Sequence, residues 1–266
     1  MVQAQPRTGP VITWPPLPDD FKLIDDPVEN LQQPPLAAAL TDALGAAQRL
    51  RPEMLIGSNF GLVAGVDSDT VVKAPDWFYV PRVNSFPDSA VRRSYTPQME
   101  GDPVAVVMEF LSADDNGELS IRSMPPYGKL YFYEQILQVS VYVIYEPMRG
   151  RLEVRSLQNG RYSLQAPDAA GRFWIEPLGL FLGVWRGERL AQTINWLRWW
   201  DADGNLLPWS AEQTDLERQR AEAERQRADT EHQRADTERQ RADTERQRAE
   251  RLAEILRAQG IDPDQV

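Results

Sequence analysis

Two isolated carboxylates in apolar stretches are the residues of this sequence that most clearly suggest chemistry. Asp76 stands between Pro75 and the apolar run Trp-Phe-Tyr-Val, and Glu109 is the lone charge in the run VAVVMEFL at 104–111. A carboxylate buried without a partner is costly, so it persists when it is paired, bound to a metal or placed at a strand end. For either residue alone, the favoured interpretation is that it caps a strand or pairs with an arginine. Two of them on successive predicted strands favour a shared site.

Composition limits which chemistry such a site can perform. The 266 residues include no cysteine and one histidine, His232. Disulfides, thiolate zinc sites and cysteine nucleophiles are therefore excluded, and Ser-His-Asp catalysis nearly so. The net charge of −11 counts weakly against general nucleic-acid binding, although a local basic groove can lie on an acidic body. The sequence has no apolar run of membrane-spanning length and no signal-peptide core, so we expect a cytoplasmic protein without membrane contact.

Hydrophobic periodicity predicts the elements that must position the two acids. Apolar residues spaced three and four apart, beginning at Leu36, predict a helix over residues 35–51. The run around Glu109 predicts a central strand that is buried on both faces. Other predictions are strand-rich segments at 54–66, 71–80 and 139–145, a short helix at 127–137, a hairpin at 151–165 around Asn159-Gly160, and an aromatic segment at 172–200 that covers the sheet.

The chain therefore divides into a Pro-rich arm (1–34), a globular domain (35–207) and a charged C-terminal helix (210–260). The helix begins with a capping box at Ser210 and repeats the heptad ERQRADT over about 70 Å. Each heptad offers one small apolar position, such as Ala221, whereas a stable coiled coil needs two. We interpret the segment as a solvated single helix or as a weak coiled coil with an alanine seam.

Three motifs, in this order, resemble the Uma family of bacterial endonucleases in the restriction-endonuclease-like PD-(D/E)XK superfamily. They are Pro75-Asp76 before an apolar strand, Glu109-Phe-Leu-Ser, and the long run from Gly128-Lys129-Leu-Tyr-Phe-Tyr to Tyr-Glu-Pro147. The resemblance covers about residues 35–200. It implies an α/β fold with a mixed central sheet flanked by helices, to which the long charged helix is added.

The resemblance also implies roles for three residues. Asp76 and Glu109 match the acidic positions of the family and resemble carboxylate ligands for Mg²⁺ or Mn²⁺, hard cations that prefer oxygen donors. The superfamily usually has a lysine two residues after the second acid, but Leu111 occupies that position here. Lys129 matches the lysine of the family at its different location. Its implied role is to orient or deprotonate the attacking water and to screen charge in the transition state.

Several neighbouring residues have open interpretations. Ser112 matches a serine of the family, and a structural role in a turn is its favoured interpretation. Tyr133 is expected to pack on the sheet. Glu134 is expected to pair with Lys129 or with another neighbour. Asp42, the acidic residue of the first helix, has no assigned role.

The long interval between Asp76 and Glu109 predicts an inserted hairpin around residues 81–103. This insert carries three arginines, which form either a phosphate-binding cluster or part of a solvated loop: Arg82, Arg92 and Arg93.

The leading hypothesis is a Mg²⁺-dependent endonuclease acting on DNA through Asp76, Glu109 and Lys129. The alternative is a catalytically inactive nuclease-like scaffold that binds a partner and associates through its C-terminal helix; the acidic charge and the repeat favour it. A serine hydrolase using Ser112 and Lys129 is a weaker third hypothesis, because no G-x-S-x-G turn surrounds the serine. A C2 homodimer is the starting expectation for assembly.

Overall fold

A computed structural model of the chain describes residues 11–16, 32–87, 91–111 and 121–258. The chain forms two units, Met1–Ser210 and Ala211–Val266. Within the described segments, the helices are α1 (Gln33–Ala46), α2 (Lys129–Tyr131), which continues as π-helical residues Phe132–Ile136, and α3 (Ser210–Ala258), besides a 3-10 turn at Glu176–Leu178. The strands are β1 (Ile12–Thr13), β2 (Leu55–Gly57), β3 (Gly61–Val66), β4 (Asp69–Lys73), β5 (Trp77–Val80), β6 (Ser94–Tyr95), β7 (Val106–Phe110), β8 (Val141–Glu146), β9 (Arg151–Gln158), β10 (Arg161–Leu164), β11 (Phe173–Ile175), β12 (Leu180–Arg189) and β13 (Gln192–Trp200).

A six-stranded mixed sheet, in the order β10-β9-β8-β7-β5-β2, forms the centre of the first unit. β7 and β8 are parallel, whereas the other neighbours are antiparallel. β7 lies between β5 and β8 and all five of its residues are buried, which confirms the predicted central strand. The α/β fold with a mixed central sheet is confirmed and is consistent with a restriction-endonuclease-like fold.

The two faces of this sheet pack against different layers because successive residues of a strand point to opposite sides. Met108 and its neighbours on one face pack against α1 and the three-stranded sheet β11-β12-β13. Val107 on the other face packs against the α2 segment and the sheet built around β3. The predicted aromatic cover is thereby confirmed, since Trp196 and Trp199 of β13 belong to the first of these cores.

The sequence of α1 explains why this segment forms a helix that packs on the sheet. Prolines occupy its first turn, where no backbone N–H partner is needed, and Leu36, Leu40 and Leu44 are all buried. The predicted end near residue 51 is wrong, because the helix ends at Ala46 and Gln48 adopts a left-handed φ of 54°.

The predicted hairpin over 81–103 is confirmed only at its base among the residues described there. That segment contributes the two-residue strand β6, parallel to β3, and a single antiparallel bridge between Val83 and Gly101. Two of its three arginines have acidic neighbours in the fold: the largely exposed Arg82 lies 3.7 Å from the carboxylate of Asp102, and Arg92 pairs with Glu100. Arg92 also stacks on an aromatic ring. These contacts favour a structural role for Arg92.

Part of the predicted N-terminal arm joins the fold. β1 pairs antiparallel with β3, and Trp14 packs against the core beside it. Gly65 of β3 permits this pairing, because a Cβ there would lie 2.1 Å from the hydroxyl of Thr13. Phe21, the other large aromatic residue of this arm, lies outside the described residues.

The C-terminal unit confirms a long helix. α3 spans 49 residues and buries none of them. Ion pairs three or four residues apart support it, including Arg218–Asp215 at 3.6 Å and Arg246–Glu250 at 3.8 Å. Self-association of α3 stays a prediction. No helix in the described part of the chain has the length and apolar character needed to cross a bilayer.

Leu40→Ala tests the packing of α1. Leu40 is fully buried, and its carbonyl accepts a hydrogen bond of 3.1 Å from the indole of Trp199. Truncation leaves a cavity, so we expect the free energy of unfolding to fall by about 2–5 kcal/mol. Urea denaturation followed by tryptophan fluorescence measures this loss. Leu50→Ala, at a position 42% exposed, is the control and should change stability little; an equal loss in both variants would contradict the assignment.

Candidate active site

Strand pairing places the two acidic residues beside each other. β5 and β7 are antiparallel, with Trp77 opposite Met108, so the next pair in this register is Asp76 and Glu109. Asp76 Oδ2 accepts a hydrogen bond of 2.5 Å from the backbone N–H of Phe110. The carboxylate of Asp76 is therefore fixed against the strand that carries Glu109.

Lys129 and Tyr133 approach Glu109 from the helix that covers this face of the sheet. The Nζ of Lys129, the first residue of α2, lies 3.1 Å from Glu109 Oε2. The hydroxyl of Tyr133 donates a hydrogen bond of 2.8 Å to Glu109 Oε1. Residues four apart lie on the same face of a helix, so both side chains reach one carboxylate.

The three residues proposed from the sequence thus lie together: Glu109 contacts Lys129 directly and neighbours Asp76 across the strand pair. Their catalytic roles remain predictions. Sequence reasoning missed the hydroxyl of Tyr133, which it assigned to packing alone. The spacing of four residues from Lys129 was the available signal, although such spacing does not distinguish a packed ring from a hydrogen-bonded one.

Burial controls the ionisation of Glu109, whose side chain is 1% exposed. Loss of solvent is the main cause that raises the pKa of its carboxyl from 4.5 to a net value of about 7, and the negative charge of Asp76 contributes to the rise. The Lys129 ammonium and the hydrogen bond from Tyr133 act in the opposite direction. Desolvation outweighs both, so the carboxyl group exchanges its proton near neutral pH.

The other residues singled out in the sequence have structural partners or lie outside the described residues. Glu134 accepts a hydrogen bond of 2.6 Å from the backbone N–H of Tyr162 and pairs with Arg161 at 3.1 Å, which confirms the expectation of a neighbouring partner. Asp42 pairs with an arginine of the β12–β13 hairpin and accepts a hydrogen bond from Ser210. Ser112 falls outside the described residues.

The carboxylate oxygens at the site are suitable ligands for a hard divalent cation. Asp76 and Glu109 offer four carboxylate oxygens, and an ionised carboxylate accepts about four hydrogen bonds. Among the described residues, no three His, Cys, Asp or Glu side chains cluster in a way that could hold a metal. A complete protein cage is therefore absent from that part of the chain. Mg²⁺ fits a pair of carboxylates, because it usually keeps several waters and completes its shell with substrate phosphates.

The mixed central sheet flanked by helices is consistent with the restriction-endonuclease-like class of proteins. The profile of the Uma2 family, whose description reads "Putative restriction endonuclease", matches residues 24–193. The match spans more than half of the chain, and the chain belongs to this family. A comparison with curated proteins finds no match.

Glu109→Gln tests the energetic cost of the buried acid. A raised pKa means that the folded protein holds the proton more tightly than the unfolded chain. Its contribution to stability is therefore full below about 4.5 and is lost as the pH rises through about 7. In a chelating buffer, we expect the wild type to lose about 2–3 kcal/mol relative to Glu109→Gln between pH 5 and pH 8.

Denaturant unfolding at several pH values measures this difference. Glu153→Gln, whose carboxylate is 34% exposed and pairs with Arg155, is the matched control and should follow the wild type. If the free energy of unfolding changes with pH in the same way in the wild type and in Glu109→Gln, ionisation of the buried Glu109 does not destabilise the fold.

Proposed function

We propose that this chain is a metal-dependent endonuclease that hydrolyses phosphodiester bonds of DNA, with Mg²⁺ as its ion and Mn²⁺ as a substitute. The observation that carries the proposal is the meeting of Lys129 with Glu109, 3.1 Å apart, beside Asp76. An ammonium next to two carboxylates suits hydrolysis of an anionic ester, because one group can act on water while the others hold a cation. Membership of the Uma2 family supports the same reading.

In this proposal, Asp76 and Glu109 hold the ion. When bound, the ion would act as a Lewis acid on the scissile phosphate and lower the pKa of a coordinated water. Lys129 is the remaining polar group of the trio, and its side chain is 26% exposed. It can therefore meet both solvent and substrate. Its ammonium would orient the attacking water and stabilise the charge that develops on the phosphate oxygens.

The location of Lys129 has a physical explanation. Leu111, at the position where the superfamily usually has its lysine, packs against the apolar core between the sheet and α2. A lysine on α2 reaches the carboxylate of Glu109 from the covering layer instead of from the strand. The position of Leu111 after β7 can therefore remain apolar, while the ammonium is supplied from α2.

The inactive scaffold remains the second candidate. The net charge of −11 and the ion pairs of Arg82 and Arg92 favour it, since both reduce the cationic surface available to phosphates. We also retain as proposals the division at 1–34, 35–207 and 210–260, a cytoplasmic location and a homodimer.

Asp76→Asn and Lys129→Met test the catalytic proposal. Each change removes one charge from the site, and we expect the rate of plasmid cleavage in Mg²⁺ to fall on the order of 100-fold or more. Asp102→Asn is the matched control, because this carboxylate pairs with the largely exposed Arg82 and lies outside the site. Calorimetry with Mn²⁺ should show binding by the wild type and a clear loss in Asp76→Asn.

The same experiments separate the two candidates. Residual nicking that is equal in the wild type, Asp76→Asn and Lys129→Met would refute catalysis by this site. A wild type that binds no metal at millimolar concentration would favour the scaffold.

A further inference from the structure

The helix that carries Lys129 changes its winding next to the site. Its first turn is α-helical, but Phe132–Ile136 is π-helical, and the N–H of Leu137 donates to the carbonyl of Phe132 at 2.9 Å. The N–H of Val139 then donates to the carbonyl of Tyr133, also at 2.9 Å. π-helical turns are rare and occur frequently at functional sites. This π-helical turn contains Tyr133, whose hydroxyl donates a hydrogen bond to Glu109.

Tyr133 and Glu134 are consecutive residues of the π-helical turn. Tyr133 connects the turn to Glu109, and Glu134 connects it to the edge strand β10. Tyr133 is fully buried, and its hydroxyl donates to Glu109 Oε1. Glu134 instead accepts from the backbone N–H of Tyr162 on β10 at 2.6 Å. Tyr142 of β8 packs on Tyr133, with ring centroids 5.2 Å apart. The ring of Tyr133 is therefore fixed by packing on the sheet and by the anchoring of its neighbour.

The two donors to Glu109 differ in what they can do. Lys129 is flexible, charged and partly exposed, and it contacts Oε2. Tyr133 is rigid, neutral and inaccessible to solvent, and it contacts Oε1. A rigid hydrogen bond to one oxygen restricts rotation of the carboxylate plane, whereas a flexible ammonium follows the carboxylate wherever it turns. Orientation of Glu109 therefore depends on Tyr133 more than on Lys129.

We propose that Tyr133 is a positioning residue of this site: through its hydroxyl, it holds the Glu109 carboxylate in one orientation for an ion. The proposal rests on the proposed function for the identity of that ligand. Hydrogen-bond partners behind metal ligands typically contribute 10–100-fold in affinity or activity. Tyr133 has no direct role on DNA in this arrangement, so its loss should affect ion binding and turnover instead of the KM for DNA.

Tyr133→Phe tests this proposal, with Tyr145→Phe as a matched control. Tyr145 is equally buried, and its hydroxyl donates a hydrogen bond of 2.7 Å to the carbonyl of Asn195 on the opposite face of the sheet. Both variants lose one buried tyrosine hydroxyl, so a general loss of stability affects both. Three measurements are made on the full chain: Mn²⁺ affinity by calorimetry, kcat and KM for plasmid cleavage, and crystal structures without metal.

We expect Tyr133→Phe to bind Mn²⁺ about 10-fold more weakly, with kcat reduced by a similar factor and KM for DNA within about twofold of the wild type. Its crystal structure should show Glu109 rotated or in two conformers. Tyr145→Phe should match the wild type in all three measurements. Wild-type affinity together with an unchanged Glu109 in Tyr133→Phe would overturn the proposal.

Failure of the proposed function gives a different result. A wild type that neither binds Mn²⁺ nor cleaves DNA removes the nuclease assignment. The positioning role is then decided by the metal-free structures alone: a displaced Glu109 in Tyr133→Phe supports it, and an unchanged one overturns it.

Discussion

The buried carboxylate of Glu109 is the constraint on which the surrounding structure depends. It lies on the central strand of a six-stranded sheet and is 1% exposed. An ionised group in such a place requires partners from every direction, because desolvation costs far more than a single hydrogen bond returns. Lys129 and Tyr133 on the covering helix contact its oxygens. These two contacts oppose the desolvation and the negative charge of Asp76, which both disfavour the ionised form. The register of β5 and β7 and the helix that begins with α2 bring these groups together.

A site of this kind lowers stability, and the opposite face of the same sheet offsets the loss. That face packs α1 against β11-β12-β13 in a core rich in tryptophan. Arg198 is fully buried there, with its guanidinium 3.4 Å from the ring centroid of Trp209 and 5.0 Å from that of Trp185. A weakly hydrated, planar cation against indole faces tolerates burial better than a carboxylate does. Among the described residues, each side of the sheet thus buries one acidic or basic side chain, Glu109 on the side of α2 and Arg198 on the side of α1 and β11-β12-β13.

The sequence predicted those structural features that depend on a single property, such as the hydrophobicity of a strand or the isolation of a charge. The run around Glu109 predicted a buried central strand, and the isolated acids at 76 and 109 predicted a shared location. Lys129 came from the family resemblance, since no local pattern links it to residues 20 positions earlier. The π-helical turn was not predictable, because it depends on the contacts of Tyr133 and Glu134 with separate strands. The insert at 81–103 pairs antiparallel at its base, but its strand β6 pairs with β3, a partner that the length of the insert could not reveal.

The repeat in α3 has a geometric consequence. Each ERQRADT unit advances the helix by about 10 Å, and an α-helix returns to nearly the same angular phase after seven residues, drifting about 20°. The threonines at 230, 237 and 244 each bond the carbonyl four residues back, and α3 has no buried face to keep in register with a partner layer. Gain or loss of one unit would therefore change length without disturbing packing. The length of the helix can thus vary in steps of one heptad, about 10 Å, while equivalent residues keep nearly the same angular positions.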